Sequence, residues 1–581
     1  MTGEPFRLEV LNPRGEPPAV APIAPAPPVA GWRGARLGVL NNTRSGGEQL
    51  LPYLVAGLRR LLPQAEVRVF NVAFGLPEAD KAPLLAEVAA ASDAVVALTG
   101  EGGAPTARTA RDAAAVEALG RPVAFIVVRG FAGSARFNAA AVGLGALRVV
   151  ELPGGTVPPP ADIERLGLAE SVPAATVAAL EAPAPASPTP AGNGAPTLAF
   201  SGADPVEAVA AMEQHFLARR WSDGLPLVPP RREAVAAMVA ATDLPPDRLV
   251  ARLEPLGGAA TVEKIAVNAV MAGCRPHYLP LLLAAVEALA DPRFDLNGVA
   301  CTAGPAAPLL VVSGPALIEG LNLNDGFGAL GPGWRANATI GRALRLMMIN
   351  LGGCWPGEAD LKAFGSPFMQ GAVVAEHEAA YPPGWEPLRV AEGFDREQPT
   401  VSVLAASTWQ VDLVPPERAS LRTIQERVGH QARAKYDRLA PNWGADNLLL
   451  LSPSAFDPLR REGVSRRALQ EAVCEVARLS AREFFEHKPP RAETGGNPLP
   501  AEMVARAHAA ADAPMPLLKG PESLKVVAAG AHGPAMLAYV STWGWGGSYF
   551  VTKPVRLPPE WGRMAAAEAG WRTPAAGPAN R

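Results

Sequence analysis

A chain of 581 residues, 49% of them hydrophobic, with a formal net charge of -3, is too long for one core and at roughly 150 residues per domain calls for three or four. The apolar content excludes a disordered chain and the balanced charge argues against a nucleic-acid partner, which leaves small molecules and protein surfaces. Four scattered cysteines, Cys274, Cys301, Cys354 and Cys474, make neither a disulfide framework nor a C-x-x-C pair, the pattern expected in a reducing, cytoplasmic compartment.

Residues 1–34 lack the basic start and apolar run of a signal peptide and read as an extended arm. No apolar run approaches the roughly 20 residues of a membrane span, so no membrane role is expected. From 35 to 153 the pattern alternates. Strands are predicted at 36–40, 66–70, 93–98, 123–128 and 147–151, with helices near 48–62, 78–91, 106–119 and 132–144. Short apolar runs between helix-length segments specify right-handed βαβ units, hence a Rossmann-like or flavodoxin-like parallel sheet covered on both faces. Residues 154–200, rich in proline, alanine and glycine, read as a semi-extended linker. The remainder reads as a larger mixed α/β or α+β region. It comprises a catalytic domain over 201–415, a second α/β lobe over 416–560 after a weak break at Pro415-Pro416, and a loose tail over 561–581. No internal repeat of fixed period is visible.

The strand at 93–98 runs into Thr99-Gly-Glu-Gly-Gly-Ala-Pro-Thr106. A glycine-rich turn at the carboxyl end of a parallel strand, followed by a helix start with Thr106 and Thr109, is suited to an anion. The plainer reading is a turn that needs glycine, with Thr106 as a helix cap. The G-x-G-x-x-G spacing of a dinucleotide site is absent. The segment resembles the UGSC family, named for a selenocysteine-Gly-Ser-Cys motif at the end of a central strand. In that alignment Gly102 stands for the selenocysteine or cysteine and Pro105 for the second cysteine. The thiol chemistry implied by the family is therefore expected to be lost here.

The second half is similar to a set of largely uncharacterised bacterial proteins that accompany UGSC-type partners. The likeness is carried by Trp221-Ser-Asp-Gly-Leu-Pro-Leu-Val-Pro-Pro230, by the stretch 257–276, and by Gly331-Pro-Gly-Trp-Arg-Ala-Asn-Ala-Thr-Ile-Gly-Arg342. It implies a fusion of two cooperating subunits and supplies no reaction.

Three constellations offer chemistry. The glycine-dense loop from Asn322 through Asn324 and Asp325 enters a helix carrying Arg335, Asn337, Thr339 and Arg342. Backbone donors and guanidinium groups at a positive helix end suit a carboxylate or phosphate. Structural ion pairs are an equally weighted alternative. Thr261 opens a helix with Glu263, Lys264 and Asn268, a potential acid/base pair or simply a capped helix. In Glu376-His-Glu378, strand alternation puts the carboxylates on one face and His377 on the other, so the three cannot share one ion; a divalent cation on the carboxylates with a distant ligand, or acid/base work by either, stays open. His277, His430, His508 and His532 are isolated in sequence and read as structural.

The reading that follows is a catabolic lyase or hydrolase acting on a small anionic molecule. Arg335, Asn337, Thr339, Arg342, Asn322, Asn324, Asp325 and Thr106 would bind it, and Glu263, Lys264, Glu376 and Glu378 would move protons. Carbon-sulfur cleavage by Cys301 or Cys354 and a non-catalytic ligand-binding role are the alternatives. A homo-oligomer stays open.

Overall fold

The computed structural model describes residues 4–43, 45–73, 75–98, 102–186, 194–415, 418–435, 445–485, 499–543, 550–568, 570 and 573. β1 (Phe6–Leu11) precedes a five-stranded parallel sheet of β2 (Arg36–Asn41), β3 (Glu66–Asn71), β4 (Ala94–Leu98), β5 (Val123–Val128) and β6 (Arg148–Leu152), ordered β3-β2-β4-β5-β6. β4 and β5 are buried along their whole length, as uninterrupted apolar strands between two helical layers must be. Ala94, Val96 and Leu98 face one layer, Val95 and Ala97 the other. The order reverses between β2 and β4, the flavodoxin-like arrangement.

The expected linker is largely folded. Helices Pro160–Arg165 and Leu168–Glu181 lie within it, and Ile163, Leu168, Val172 and Leu180 complete the core against Leu50, Leu54 and Leu58. Its composition suggested a spacer, but these apolar side chains recur at helical spacing and have a sheet face to cover. β7 (Thr197–Gly202) then returns to pair antiparallel with β1. The arm is extended as expected, yet it is anchored: Lys264 Nζ donates to the Asn12 carbonyl at 2.7 Å, Asn268 Nδ2 to that of Pro13 at 3.1 Å, and Ala26 N–H to Glu117 at 2.6 Å.

The second part begins with helices, interrupted by the hairpin of β8 (Leu249–Leu253) and β9 (Gly258–Thr261), and builds a mixed seven-stranded sheet. The sheet contains β10 (Ala307–Ser313), β11 (Ala372–Ala375), β12 (Thr400–Leu413) and β13 (Asn447–Leu451). After the small ribbon of β14 (Arg478–Ser480) and β15 (Pro514–Pro516) come β16 (Leu524–Ala528), β17 (Met536–Thr542) and β18 (Val551–Pro554). The order β11-β10-β12-β17-β13-β16 crosses the boundary expected near 415, so the two lobes share one sheet and are not separate domains. Pro416 itself lies outside the described residues.

This sheet is duplicated. β10 is parallel to β11 and antiparallel to β12, with Leu309 opposite Ala372 and Leu404, and Val312 opposite Ala375 and Val401. β13 is likewise parallel to β16 and antiparallel to β17, with Leu448 opposite Lys525 and Val540, and Leu451 opposite Ala528 and Leu537. A long helix makes each parallel crossover, Arg335–Asn350 in one copy and Arg466–Val476 in the other. The last residues of β12 run beside β17, Gln410 to Leu413 against Tyr539 to Met536, as β18 runs beside β12, Val551 to Pro554 against Val403 to Thr400. The copies meet head to tail across the β12–β17 seam. No fixed sequence period was visible because the connections between corresponding strands differ in length. The sheet curls until its edges meet, with His377 N–H donating to the Ala528 carbonyl at 2.8 Å.

The two parts of the chain dock through helices Gly103–Ala118 and Leu296–Cys301. Arg108 pairs with Asp295 at 2.5 Å and Arg111 with Glu254 at 2.6 Å, and Ala104 and Ala107 belong to the second part's core. The expected tail is partly ordered: Trp561 opens the helix Trp561–Ala567 and donates to the His277 carbonyl at 2.8 Å. Among the described residues no helix is long and apolar enough to cross a membrane.

Candidate functional site

A groove of about 370 Å³ opens at one mouth of the curled sheet. Val374, Trp409, Val411, Leu450, Met536 and Ala538 form its floor; the loops 326–331 and 529–534 wall it in. Both loops follow from sequence. Asn322 ends helix Pro315–Leu321 in the left-handed conformation, and the glycines beyond it let the chain fold back tightly. Asn324 and Asn337, both buried, hold the first loop: Asn337 accepts from Asn324 N–H at 2.9 Å and donates to the carbonyls of Ala329 and Val373, while Asn324 donates to those of Phe327 and Gly328 at 2.7 and 2.9 Å. Phe327 reaches across to the second loop, where its ring lies beside Gly533.

His377 joins the two loops from below. Its Nδ1 lies 3.2 Å from the carbonyls of Asp325 and of Gly530. Carbonyl oxygens only accept, so Nδ1 carries the proton and Nε2 is the basic nitrogen of the neutral ring. The His532 ring stands edge-on to it, 6.4 Å between centroids. Sequence reasoning weighed His377 only as part of Glu376-His-Glu378 and read His532 as structural; 155 positions separate the two, and only the curling of the sheet brings them together.

The expected substrate anchor is not at the groove. Arg342 grips Asp223 with both arms of its guanidinium, at 2.7 and 2.9 Å, and donates further to the carbonyls of Pro226 and Leu225. It therefore fastens the Trp221–Pro230 motif to the helix, the ion-pair alternative. Arg335 is exposed at the helix start, 3.5 Å from the Gly273 carbonyl, and the Thr339 hydroxyl turns back to the Arg335 carbonyl at 2.8 Å. The Glu263 and Lys264 pair does not assemble as an acid/base couple. Burial lowers the Lys264 pKa while the ammonium holds the arm at Asn12, and Thr261 caps the helix through Lys264 N–H at 3.2 Å.

The strand ends at Ala375 and Glu378 opens a 3-10 turn, so alternation does not govern these residues, yet Glu376 and Glu378 both reach the Ser313–Arg389 cluster while His377 turns to the groove loops. The two carboxylates sit at the mouth related to the groove by the internal duplication, where Ser313, Glu376 and Thr400 correspond to Ser452, Ala529 and Met536. That mouth is filled. Glu376, 2% exposed, accepts from Ser313 Oγ, from Tyr381 OH at 2.6 Å and from Leu388 N–H at 2.7 Å, and Glu378 pairs with buried Arg389. Burial raises the Glu376 pKa above the usual carboxylate range despite these donors. Among the described residues no three His, Cys, Asp or Glu side chains converge as a metal cage requires.

In the N-terminal part, Thr99, Gly100 and Glu101 lie outside the described residues. Gly102 precedes helix Gly103–Ala118, and Thr106 is fully buried, donating to the Gly102 carbonyl at 2.9 Å instead of capping the helix start. A Cβ on Gly103 would overlap the Cys301 carbonyl, so this turn is pressed against the second part. Cys301 and Cys354 are completely buried; burial pushes the Cys301 thiol up to about 12 and that of Cys354 higher still.

Residues 9–182 match the model of the UGSC family, so the chain carries a UGSC family domain in its N-terminal part. The match extends through the two helices of the expected linker, in agreement with their place on the sheet. No curated protein matches the chain.

Proposed function

We propose that the chain is a catabolic enzyme acting on a small organic molecule by non-redox acid/base chemistry of the hydrolase or lyase type, with the groove as binding site and His377, which ties the two groove loops from below and is not itself among the lining residues, as proton-transfer group. The observation that carries this reading is the fixed imidazole: two carbonyls orient Nδ1–H and assign the basic role to Nε2, as the third member of a catalytic constellation orients its base. The anionic class inferred from the arginines drops out of the proposal, since Arg342 is committed to Asp223. Buried, high-pKa thiols do not support carbon-sulfur cleavage. Unpaired cysteines fit a cytoplasmic setting.

A non-catalytic ligand-binding role is the second reading, favoured by glycine and proline at positions 102 and 105. Hydrolysis of a neutral ester such as p-nitrophenyl butyrate separates the two. The enzyme reading expects turnover that falls at least about a hundredfold in His377→Gln, the usual scale of acid/base catalysis, and that survives iodoacetamide. No turnover in the native protein, or equal turnover in the variant, sinks it.

A further inference from the structure

We infer that the groove takes an uncharged molecule with a flat apolar body, closer to an aromatic amide or ketone than to a carboxylate; this rests on the groove being the binding site. Its volume of about 370 Å³ falls within the roughly 300–1,000 Å³ of small-molecule pockets. Its lining is aromatic, aliphatic and glycine-rich, with no Asp, Glu, Lys, Arg or His among the residues that form it. Ser452 supplies the lining's side-chain hydroxyl, and this is engaged in holding the wall, accepting from Met536 N–H at 2.9 Å. The amides of Asn324 and Asn337 are spent on loop carbonyls.

The duplicated mouth shows what a carboxylate demands of this fold. Glu376 has two hydroxyls and a backbone N–H as donors, and Glu378 has the Arg389 guanidinium. At the groove the positions corresponding to Ser313, Glu376 and Glu378 are Ser452, Ala529 and Ala531. An anion entering there sheds water without gaining a counter-charge, a penalty a neutral isostere avoids. Trp409, Val411 and Phe327, the last 58% exposed, offer flat and branched surface to an apolar body instead.

Calorimetric titration of the full chain with 2-naphthamide and 2-naphthoate, which share one skeleton, tests the inference. The amide is expected to bind at least about tenfold more tightly, equivalent to ~1.4 kcal/mol. Val411→Lys, at a half-exposed position on the floor, should reverse the preference. Gly533→Phe, whose side chain would enter beside Phe327, should abolish binding. Equal or tighter binding of the naphthoate overturns the neutral class and leaves the groove standing. Amide binding that survives both Val411→Lys and Gly533→Phe lies elsewhere and overturns the inference. Absence of binding by either compound overturns it as well, and the ester turnover of His377→Gln then decides separately whether the acid/base reading stands.

Discussion

Replacing Arg342 with lysine should destabilise the fold and leave binding at the groove unchanged. The side chain pairs bidentately with Asp223, and the two side chains are 14% and 5% exposed; the same guanidinium also holds the carbonyls of Leu225 and Pro226. Hydrogen bonds to charged groups contribute about 1.5–3 kcal/mol each, and breaking a buried pair outright costs about 3–5 kcal/mol. A lysine keeps the charge but reaches Asp223 from one point and cannot fork to the carbonyls, so a loss of about 2 kcal/mol follows. At roughly 2–4 °C per kcal/mol, the part of the fold containing this clamp should melt about 5 °C earlier. Denaturant unfolding would be measured for Arg342→Lys, for Asp223→Asn and for the double variant, alongside naphthamide titration. Strong coupling in the double-mutant cycle, with affinity unchanged, is the expected result. Wild-type stability in Arg342→Lys together with weakened ligand binding would restore the arginine as a substrate anchor and refute the reasoning.

Gly103→Ala should loosen the docking of the two parts by at least about 1–3 kcal/mol, the scale of overpacking, because the methyl group would overlap the Cys301 carbonyl; limited proteolysis at unchanged rates would contradict this. Glu376 has a pKa raised by burial, so its contribution to stability is complete below its unfolded-state pKa and is lost as pH rises through the higher folded-state value. Glu376→Gln should therefore gain in Tm relative to wild type from about pH 5 to about pH 8, and a gap that moves the other way would contradict the shift. A chain beginning near Ala199 should aggregate on gel filtration, since it lacks β1, the arm anchored at Lys264 and the helix bearing Ala104 and Ala107; a monomer with a cooperative native melt would show those contacts to be dispensable.

The parallel sheet was legible because β4 and β5 are continuous apolar runs and their flanking helices have ordinary lengths. Helix Arg335–Asn350 and helix Val262–Ala272 were legible too, the latter from Thr261 as its cap. Helix Leu168–Glu181 was hidden because its alanines and Pro173 resemble spacer composition, although Leu168, Val172 and Leu180 carry a helical stripe. Charge alone could not distinguish Arg342 as an anchor from Arg342 as a clamp: its partner Asp223 lies 119 positions away. The glycine-rich loop at 322–333 was singled out and does form a groove wall, but it acts through shape and through Asn324 and Asn337. The pairing of His377 with His532 carried no local signal, since their proximity depends on a duplicated sheet whose connections vary in length.

The protonation of His377 tests the central claim most directly. Long-range proton–nitrogen correlation spectra of histidine-labelled protein, with the resonance assigned by its loss in His377→Gln, should show the Nδ1–H tautomer, because the carbonyls of Asp325 and Gly530 accept from that nitrogen. Addition of 2-naphthamide should shift the Nε2 resonance. An Nε2–H tautomer, or an Nε2 signal unmoved when the groove is occupied, would contradict the assignment of His377 as the base that serves this site.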